Sequence, residues 1–288
     1  MRIGIHTSIA GSLERAALKA VDLGANTFQI FSSSPRQWKA SPLSGPAIQL
    51  LKRERERHDL RPLAIHVNYL INLAAANEGI RAHSVQAFRG EIERATAIGA
   101  EFLVAHPGNY KGHSVEQGIF HVLEGAAEAA RGLDPGNLTL LIENTAGAGA
   151  QLGSRLEELH VMREFAPQFT NLPIGFCLDT CHLLAAGYDI ATKKGLDQTV
   201  RDLDRLIGLQ HVHVIHANDS KAPLGSHVDR HQNIGEGYIG LDGFRRILAH
   251  PGLRDKAFIL ETPMENGGDR KNLDTLKSLA PRLGRQSG

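Results

Sequence analysis

Residues 138–143 read LTLLIE, a short apolar run that ends on a glutamate. Runs rich in Val, Ile, Leu and Phe are typical of strands that are buried on both faces of a parallel sheet. Because the same plan recurs six times along the chain, we expect the strand ends to converge on one site. The five other runs, each closed by a potential metal ligand, are RPLAIH (61–66), FLVAH (102–106), IGFCLD (174–179), VHVIH (212–216) and AFILE (257–261).

Strand-like and helix-like stretches alternate along the whole chain. Repeated strand–helix units without a break in composition predict an α/β fold, a single closed (β/α)₈ TIM barrel over residues 1–288 with a loose tail at 283–288. An open, doubly wound sheet is the alternative. The eight predicted strands span residues 2–7, 26–32, 61–67, 102–106, 138–144, 174–180, 212–218 and 257–262.

Helical spacing of apolar residues predicts the helices between these strands. The stretch 114–132 starts on a candidate cap, Ser114, and the stretch 13–24 stops at Gly24. The predicted helical stretches are 13–24, 85–99, 114–132, 154–166, 199–208, 241–250 and 273–284.

The bulk composition is that of an ordinary globular enzyme, with 42% hydrophobic and 22% charged residues. A net charge of +1 gives no global argument for a nucleic-acid partner. Two cysteines, Cys177 and Cys181, exclude a disulfide-stapled scaffold, and we expect both to be buried as small apolar residues. Since no segment resembles a signal peptide or approaches the roughly 20 apolar residues that span a bilayer, the expected location is cytoplasmic.

Candidate metal ligands stand where barrel enzymes carry their catalytic groups, at the carboxyl ends of the strands. Zinc prefers imidazole and carboxylate ligands of this kind, about four per ion including water. Since a carboxylate can bridge two ions, nine side chains suffice for three metals. Two candidates lie in the stretch 217–240, which is too long for a plain connection. The nine are His66, His106, Glu143, Asp179, His182, His216, Asp229, His231 and Glu261.

Strand geometry separates His216 from the histidines near it. Side chains alternate along a strand, so His216 is predicted to share a face with Val212 and Val214. His213 then points to the other side and is assigned a structural role. His6 ends the first strand, and we expect it to line the site behind the ligands.

Several long segments resemble the signature blocks of the endonuclease IV family, in the right order and over essentially the whole chain. The resemblance implies a zinc-dependent apurinic/apyrimidinic endonuclease with a barrel fold. The matching segments are PRQWKASPL (35–43), HVNYLINLA (66–74), HPG (106–108), IENTAGAGAQLG (142–153), LDTCHLLAAGYD (178–189), HANDSKAPLGSHVDRHQNIGEGYIG (216–240) and LETP (260–263).

The resemblance divides the nine candidate ligands among three zinc ions per chain. Glu143 bridges the first two ions, and Glu143 and Glu261 are the implied catalytic carboxylates. The first set is His66, His106 and Glu143, the second is Glu143, Asp179, His216 and Glu261, and the third is His182, Asp229 and His231.

The resemblance also implies a set of DNA-contacting residues that enter the minor groove and wedge into the base stack. A wedge costs unstacking energy, and this cost is least where a base is already missing. Val67 stands where the family often has a polar residue or glycine, which bears on the local loop contacts. The implied DNA-binding residues are Arg36, Gln37, Trp38, Tyr69 and Leu70.

The implied reaction is hydrolysis of the phosphodiester bond 5′ to an abasic site in duplex DNA. It leaves a 3′-hydroxyl and a 5′-deoxyribose phosphate, and the same centre would remove blocked 3′ ends; the expected protein is a monomer with no membrane partner. One alternative is a metal-dependent sugar isomerase, which shares the barrel but has no use for the loops at RQW (36–38) and NYL (68–70). Another is a damaged-DNA binding protein with structural zinc, which leaves the complete ligand set unexplained.

Overall fold

Eight parallel strands close a barrel in the computed structural model, which describes residues 1–281. The barrel order is β1-β10-β7-β6-β5-β4-β3-β2, and two short strands, β8 and β9, form a separate antiparallel pair. The predicted TIM barrel is confirmed, and all eight barrel strands lie within the predicted runs. The strands are β1 Arg2–His6, β2 Phe28–Phe31, β3 Leu63–His66, β4 Phe102–Ala105, β5 Thr139–Glu143, β6 Ile174–Asp179, β7 Val212–His216, β8 Asp219–Ser220, β9 His231–Gln232 and β10 Ala257–Leu260.

Helices follow the barrel strands and cover the outside of the barrel. Short 3-10 helices precede β7 and α9, and the predicted tail at 283–288 lies outside the described residues. The α-helices are α1 Leu13–Asp22, α2 Gly45–Arg57, α3 Glu78–Ile98, α4 Val115–Ala130, α5 Leu156–Phe169, α6 Thr180–Ala186, α7 Lys193–Leu206, α8 Gly240–Ala249 and α9 Gly268–Leu279.

Two helices were not predicted, and each lacks a plain apolar face. The second half of α2 reads KRERER, and two of its three buried residues are the charged Glu54 and Arg55. The two-turn α6 is too short for a helical period to be recognised.

The cap predicted at Ser114 is present: the Ser114 side chain accepts from the Gln117 backbone N–H, and the two residues form a capping box at the start of α4.

The core has two layers. A small apolar cluster fills the inside of the barrel, and a much larger one lies between the strands and the helices. Burial raises the pKa of both cysteine thiols to about 12, as expected for buried apolar residues. The interior cluster consists of Ala64, Val104, Leu141, Cys177, Val214, Ala257 and Ile259.

The predicted alternation along β7 is wrong at its first residues. The pairing of β6 with β7 shifts register between Val212 and Val214, beside His213. Val212 therefore packs in the outer core, and only Val214 joins the interior cluster above which His216 lies. The His213 ring stacks on Phe102, with centroids 5.1 Å apart, which agrees with the predicted structural role. Because Phe102 packs against the interior cluster, His213 does not point away from the barrel interior as the alternation predicted.

Within residues 1–281, no helix has the length and apolar character needed to cross a membrane.

Candidate metal centre

All nine predicted ligands meet at the carboxyl end of the barrel. Four are the last residues of their strands, two follow a strand by one residue, one lies on α6, and two lie in the long loop between β7 and α8. Their ligand atoms approach within 4.8 Å of one another in three groups. The groups, which are the three sets implied by the family resemblance, are His66–His106–Glu143, Glu143–Asp179–His216–Glu261 and His182–Asp229–His231.

Glu143 is fully buried, and its two carboxylate oxygens face two different groups. Oε2 lies 3.2 Å from Nε2 of His66 and 3.3 Å from Nε2 of His106. Oε1 lies 3.1 Å from Nδ1 of His216, which is also 3.2 Å from Oε2 of Glu261. This geometry is what a carboxylate that bridges two ions requires.

A helix cap ties the second group to the third. Asp179 is the N-cap of α6, and its Oδ1 accepts from the backbone N–H of His182 at 2.8 Å. Its Oδ2 accepts from the Asn218 amide at 2.7 Å. An Asp at the cap therefore fixes both its own carboxylate and the ligand one turn into the helix.

The long loop is organised by a second buried aspartate, Asp219. Its carboxylate accepts from the backbone N–H groups of Gly235, Gly237, Ile239 and Gly240 at 2.9–3.2 Å. A side chain at Gly237 would meet an Asp219 oxygen at 2.5 Å, so only glycine fits there. The antiparallel pairing of β8 with β9 then brings His231 to the site.

Four of the five imidazoles are oriented by an oxygen behind them. A carbonyl oxygen can only accept, so the ring nitrogen that faces it carries the proton and the other nitrogen presents a lone pair. In three cases the acceptor is backbone: Val67 O for His66 Nδ1 at 2.8 Å, Asn144 O for His182 Nδ1 at 2.9 Å, and Glu261 O for His231 Nδ1 at 3.1 Å. For His216 it is the Gln29 side chain.

The orientation of these rings supports a cation in the third group. Nε2 of His182 and Nε2 of His231 are buried and make no hydrogen bond within residues 1–281. They lie 3.2 and 3.4 Å from the two carboxylate oxygens of Asp229. Two lone pairs and a carboxylate converging on one point repel one another unless a cation lies between them. The donor set of imidazole and carboxylate fits zinc.

Burial and neighbouring charges act in opposite directions on the pKa values of the ligands. Burial acts to raise the pKa of Glu143, but His216 and His106 outweigh it and hold that pKa well below its usual range. Burial acts to lower the pKa of His182, but Asp179, with Asp229 and Glu143, raises it well above its usual value. Each carboxylate thus favours the charged form of the imidazoles around it, and each imidazole favours the ionised carboxylate.

Both cysteines come within reach of these groups but do not fit as ligands. Cys177 lies near Glu143 and His216, and Cys181 near Asp179 and His231. Cys177 belongs to the apolar cluster inside the barrel, and the Cys181 thiol donates to Arg230 O at 3.6 Å.

The predicted DNA-contacting residues stand in two neighbouring loops at the same face. Arg36, Gln37 and Trp38 are exposed, Tyr69 is 63% exposed and Leu70 is half-buried. The backbone N–H of Tyr69 donates to Pro35 O at 3.0 Å, which joins the two loops.

Val67, where the sequence departs from the family pattern, is buried and does not face the loop surface. Its N–H donates to Val104 O at 2.9 Å, and its carbonyl orients His66. The departure therefore lies in the core beneath the loop.

Sequence reasoning missed the carboxamides that support the ligands: Gln29, Asn144 and Asn218. Asn144 Oδ1 accepts from Asp179 N at 2.7 Å, and Asn218 Oδ1 from Glu261 N at 2.8 Å. Gln29 interrupts the apolar run FQIF of β2, a signal that could have been used. His6, expected behind the ligands, lies there: its Nδ1 is 3.6 Å from Glu261 Oε1.

A closed barrel with buried imidazole–carboxylate groups at the carboxyl end defines a metal-binding TIM barrel. In agreement, the model of a family described as "Xylose isomerase-like TIM barrel" matches residues 17–280. A structure titled "Crystal structure of D-tagatose 3-epimerase-like protein" has a TM-score of 0.71 at 22% identity, covers 97% of each chain, and shows the likeness of fold alone.

Two closer comparisons define the family. A protein named "Probable endonuclease 4" from Solibacter usitatus (strain Ellin6076) is 61% identical over 281 residues, 97% of each chain. The crystal structure of endonuclease IV from Thermus thermophilus has a TM-score of 0.85 at 40% identity, covering 97% of this chain and 98% of that one. The chain belongs to the endonuclease IV family.

Proposed function

We propose that the protein is a DNA repair endonuclease that hydrolyses the phosphodiester bond 5′ to abasic sites in duplex DNA. The products are a 3′-hydroxyl and a 5′-deoxyribose phosphate, and blocked 3′ ends are further substrates. The proposal agrees with the endonuclease IV relatives. The observation that carries it is the Glu143 carboxylate, which faces two ligand groups within a complete set of nine.

Three zinc ions are the cofactor that this donor set fits. His66, His106 and Glu143 would hold the first ion, Glu143 would share the second with Asp179, His216 and Glu261, and His182, Asp229 and His231 would hold the third. When bound, zinc supplies Lewis-acid activation of the phosphodiester and of water at neutral pH.

The chain's own residues hold the ligands in fixed orientations. The buried carboxylate of Asp179 is held by two donors, the backbone N–H of His182 and the Asn218 amide, so little reorganisation accompanies the reaction. Glu143, the last residue of β5, and Glu261, the residue after β10, would hold the metal ions at which the phosphodiester reacts. Both carry low pKa values and stay ionised at neutral pH.

The two exposed loops recognise the lesion in this proposal. The loop of Tyr69 and Leu70 and the loop of Arg36, Gln37 and Trp38 enter the minor groove and wedge into the base stack at the abasic site, where unstacking costs least. We further propose that the chain is one domain that works as a monomer in the cytoplasm.

The test is cleavage of an end-labelled duplex carrying one abasic analogue, without added magnesium, together with metal analysis of the same sample. A single nick on the 5′ side that leaves a 3′-hydroxyl, with about three zinc ions per chain by the ligand count, is expected. Intact duplex in a sample that contains its metals would overturn the proposal and direct attention to sugar substrates. A sample that lacks metal is reloaded with zinc before the assay.

A matched pair of aromatic variants tests the loop assignment on that duplex. Tyr69→Ala should weaken binding to abasic duplex by about 1–3 kcal/mol, the usual loss for an aromatic that stacks on bases. Phe120→Ala, at an exposed aromatic on α4, should leave binding unchanged. Equal affinities of the two variants would contradict a wedge at Tyr69.

A further inference from the structure

Gln29 is a fully buried carboxamide in the middle of β2, next to the second ligand group. Its Oε1 accepts from Nε2 of His216 at 2.9 Å. Its Nε2 donates to Oε1 of Glu261 at 2.6 Å and lies 3.1 Å from Nδ1 of His6. Since a carboxylate only accepts, the amide nitrogen must face Glu261, and the amide oxygen must therefore face His216.

This contact differs in kind from those behind the other oriented imidazoles. His66, His182 and His231 donate to backbone carbonyls, which no substitution removes. Among the described residues, His216 is the ligand imidazole whose second nitrogen is held by a side chain. The chain can therefore tune this one ligand by changing residue 29.

We propose that Gln29 is a positioning residue that fixes His216 and Glu261 for the second metal ion. Its oxygen keeps the proton on Nε2 of His216, so the Nδ1 lone pair faces Glu143 and Glu261. Its amide N–H holds one oxygen of Glu261 and leaves the other, Oε2, directed at His216. One carboxamide thus sets the tautomer of one ligand and the rotation of another.

Loss of this carboxamide should chiefly lower the affinity of the second ligand group for zinc. Without an acceptor, the His216 ring is free to carry its proton on either nitrogen or to rotate, and outer-sphere partners of this kind are typically worth about 10–100-fold in metal affinity or activity. Because Gln29 is fully buried, its loss should not change contacts with DNA.

The experiment compares three variants of the full chain loaded with zinc. Gln29→Leu removes both hydrogen bonds at similar volume. Gln29→Glu keeps an oxygen for His216 and replaces the donor to Glu261 by a charge. Thr27→Val, the control, removes a buried hydrogen bond to Pro62 O (2.6 Å) just before β2 without touching the site.

The first measurement is the release of zinc to a competing chelator, with the thermal midpoint of each metal-free variant as the check on folding. Gln29→Leu should release one zinc per chain at roughly 10–100-fold lower chelator concentration. Gln29→Glu should release zinc at a chelator concentration between those of Gln29→Leu and the parent, because it keeps an acceptor for His216 but loses the donor to Glu261 and places a second carboxylate beside it. Thr27→Val should lower the thermal midpoint and leave zinc release unchanged.

The second measurement is the rate of cleavage by the zinc-loaded variants, and it rests on the proposed function. Gln29→Leu should lower kcat with KM unchanged, and Thr27→Val should cleave like the parent.

Parent-like zinc release from a folded Gln29→Leu variant would overturn the proposal. If that variant does not fold, parent-like zinc release from Gln29→Glu would overturn it instead, because that variant has lost the donor to Glu261. If the parent fails to cleave abasic duplex while Gln29→Leu still loses zinc, the proposed function fails and the role of Gln29 stands.

Discussion

Two partly buried charged clusters lie at opposite ends of the barrel, and their hydrogen bonding differs. At the amino end, Arg55 on α2 donates twice to Glu101 (2.8 and 2.6 Å) and once to Gly99 O (2.7 Å). Glu101 also accepts from the backbone N–H of Leu63 at 2.7 Å. Within residues 1–281, each of the three guanidinium nitrogens of Arg55 donates to an acceptor of the protein.

At the carboxyl end, the ligand groups face one another without completing their hydrogen bonds. Nε2 of His182 and Nε2 of His231 are buried without a partner among the described residues, and Glu143 and Glu261 both face His216. A buried charge whose hydrogen bonds the protein completes needs no further partner, whereas buried ligand atoms left unsatisfied indicate a site for an ion from outside. The difference distinguishes a structural ion pair from a metal centre.

The largest effect should come from Glu143→Gln, which breaks the carboxyl-end cluster. An amide cannot present two anionic oxygens to two groups, so cleavage should fall by more than the about 10–100-fold typical of an outer-sphere change. The fold, followed by circular dichroism, should persist. Glu157→Gln, at an exposed glutamate on α5, is the control and should cleave like the parent. A fully active Glu143→Gln variant would contradict the bridging role.

An intermediate effect should come from Arg55→Met, which breaks the amino-end pair. The free energy of unfolding, measured with urea, should fall by roughly 1–3 kcal/mol, less than for a fully buried pair because the Glu101 side chain is 36% exposed. Zinc content and cleavage should not change. Arg53→Met, at a guanidinium that is 69% exposed, should alter stability by at most about 0.5 kcal/mol. A loss of zinc in Arg55→Met would mean that the two ends are not independent.

The smallest effect concerns Glu91, a buried carboxyl that belongs to neither cluster. Burial raises its pKa, although its Oε2 accepts from the Ser32 hydroxyl at 2.5 Å and Arg94 acts in the opposite direction. A raised pKa in the folded state contributes stability that is present below the unfolded value of 4.5 and is lost as pH rises through the folded pKa.

Glu91→Gln should therefore gain in thermal midpoint relative to the parent as pH rises from below 4.5 to neutrality. The measurement is the difference between the two midpoints at each pH, which removes effects common to both proteins. A difference that stays constant with pH, or that falls, would show that Ser32 and Arg94 satisfy the ionised carboxyl.

The ligands were predictable because each follows a strand whose type is plain from its composition. The apolar runs VHVIH and AFILE were enough to place these segments in the barrel wall. Because the strands of a barrel are parallel, their carboxyl ends then lie at one face. By contrast, α2 was missed because its buried face carries Glu54 and Arg55, and the partner of Arg55, Glu101, lies 46 residues along the chain.

The side of the barrel wall to which a strand side chain points was less predictable than the position of the strand in the sequence. The register shift beside His213 turns Val212 to the outer core, and no local signal in VHVIH marks it. Gln29 was missed for a similar reason: its partners His216 and Glu261 are 187 and 232 residues away.

The sequence by itself determined the repeated strand–helix plan, the nine candidate ligands and the loops that carry Trp38 and Tyr69. Only the tertiary structure decided which oxygen of Glu143 faces which imidazole, and which nitrogen of each imidazole is left free. The physical reason is that ligand type is a property of one residue. The direction of a lone pair is set by acceptors that neighbouring strands bring together once the barrel has closed.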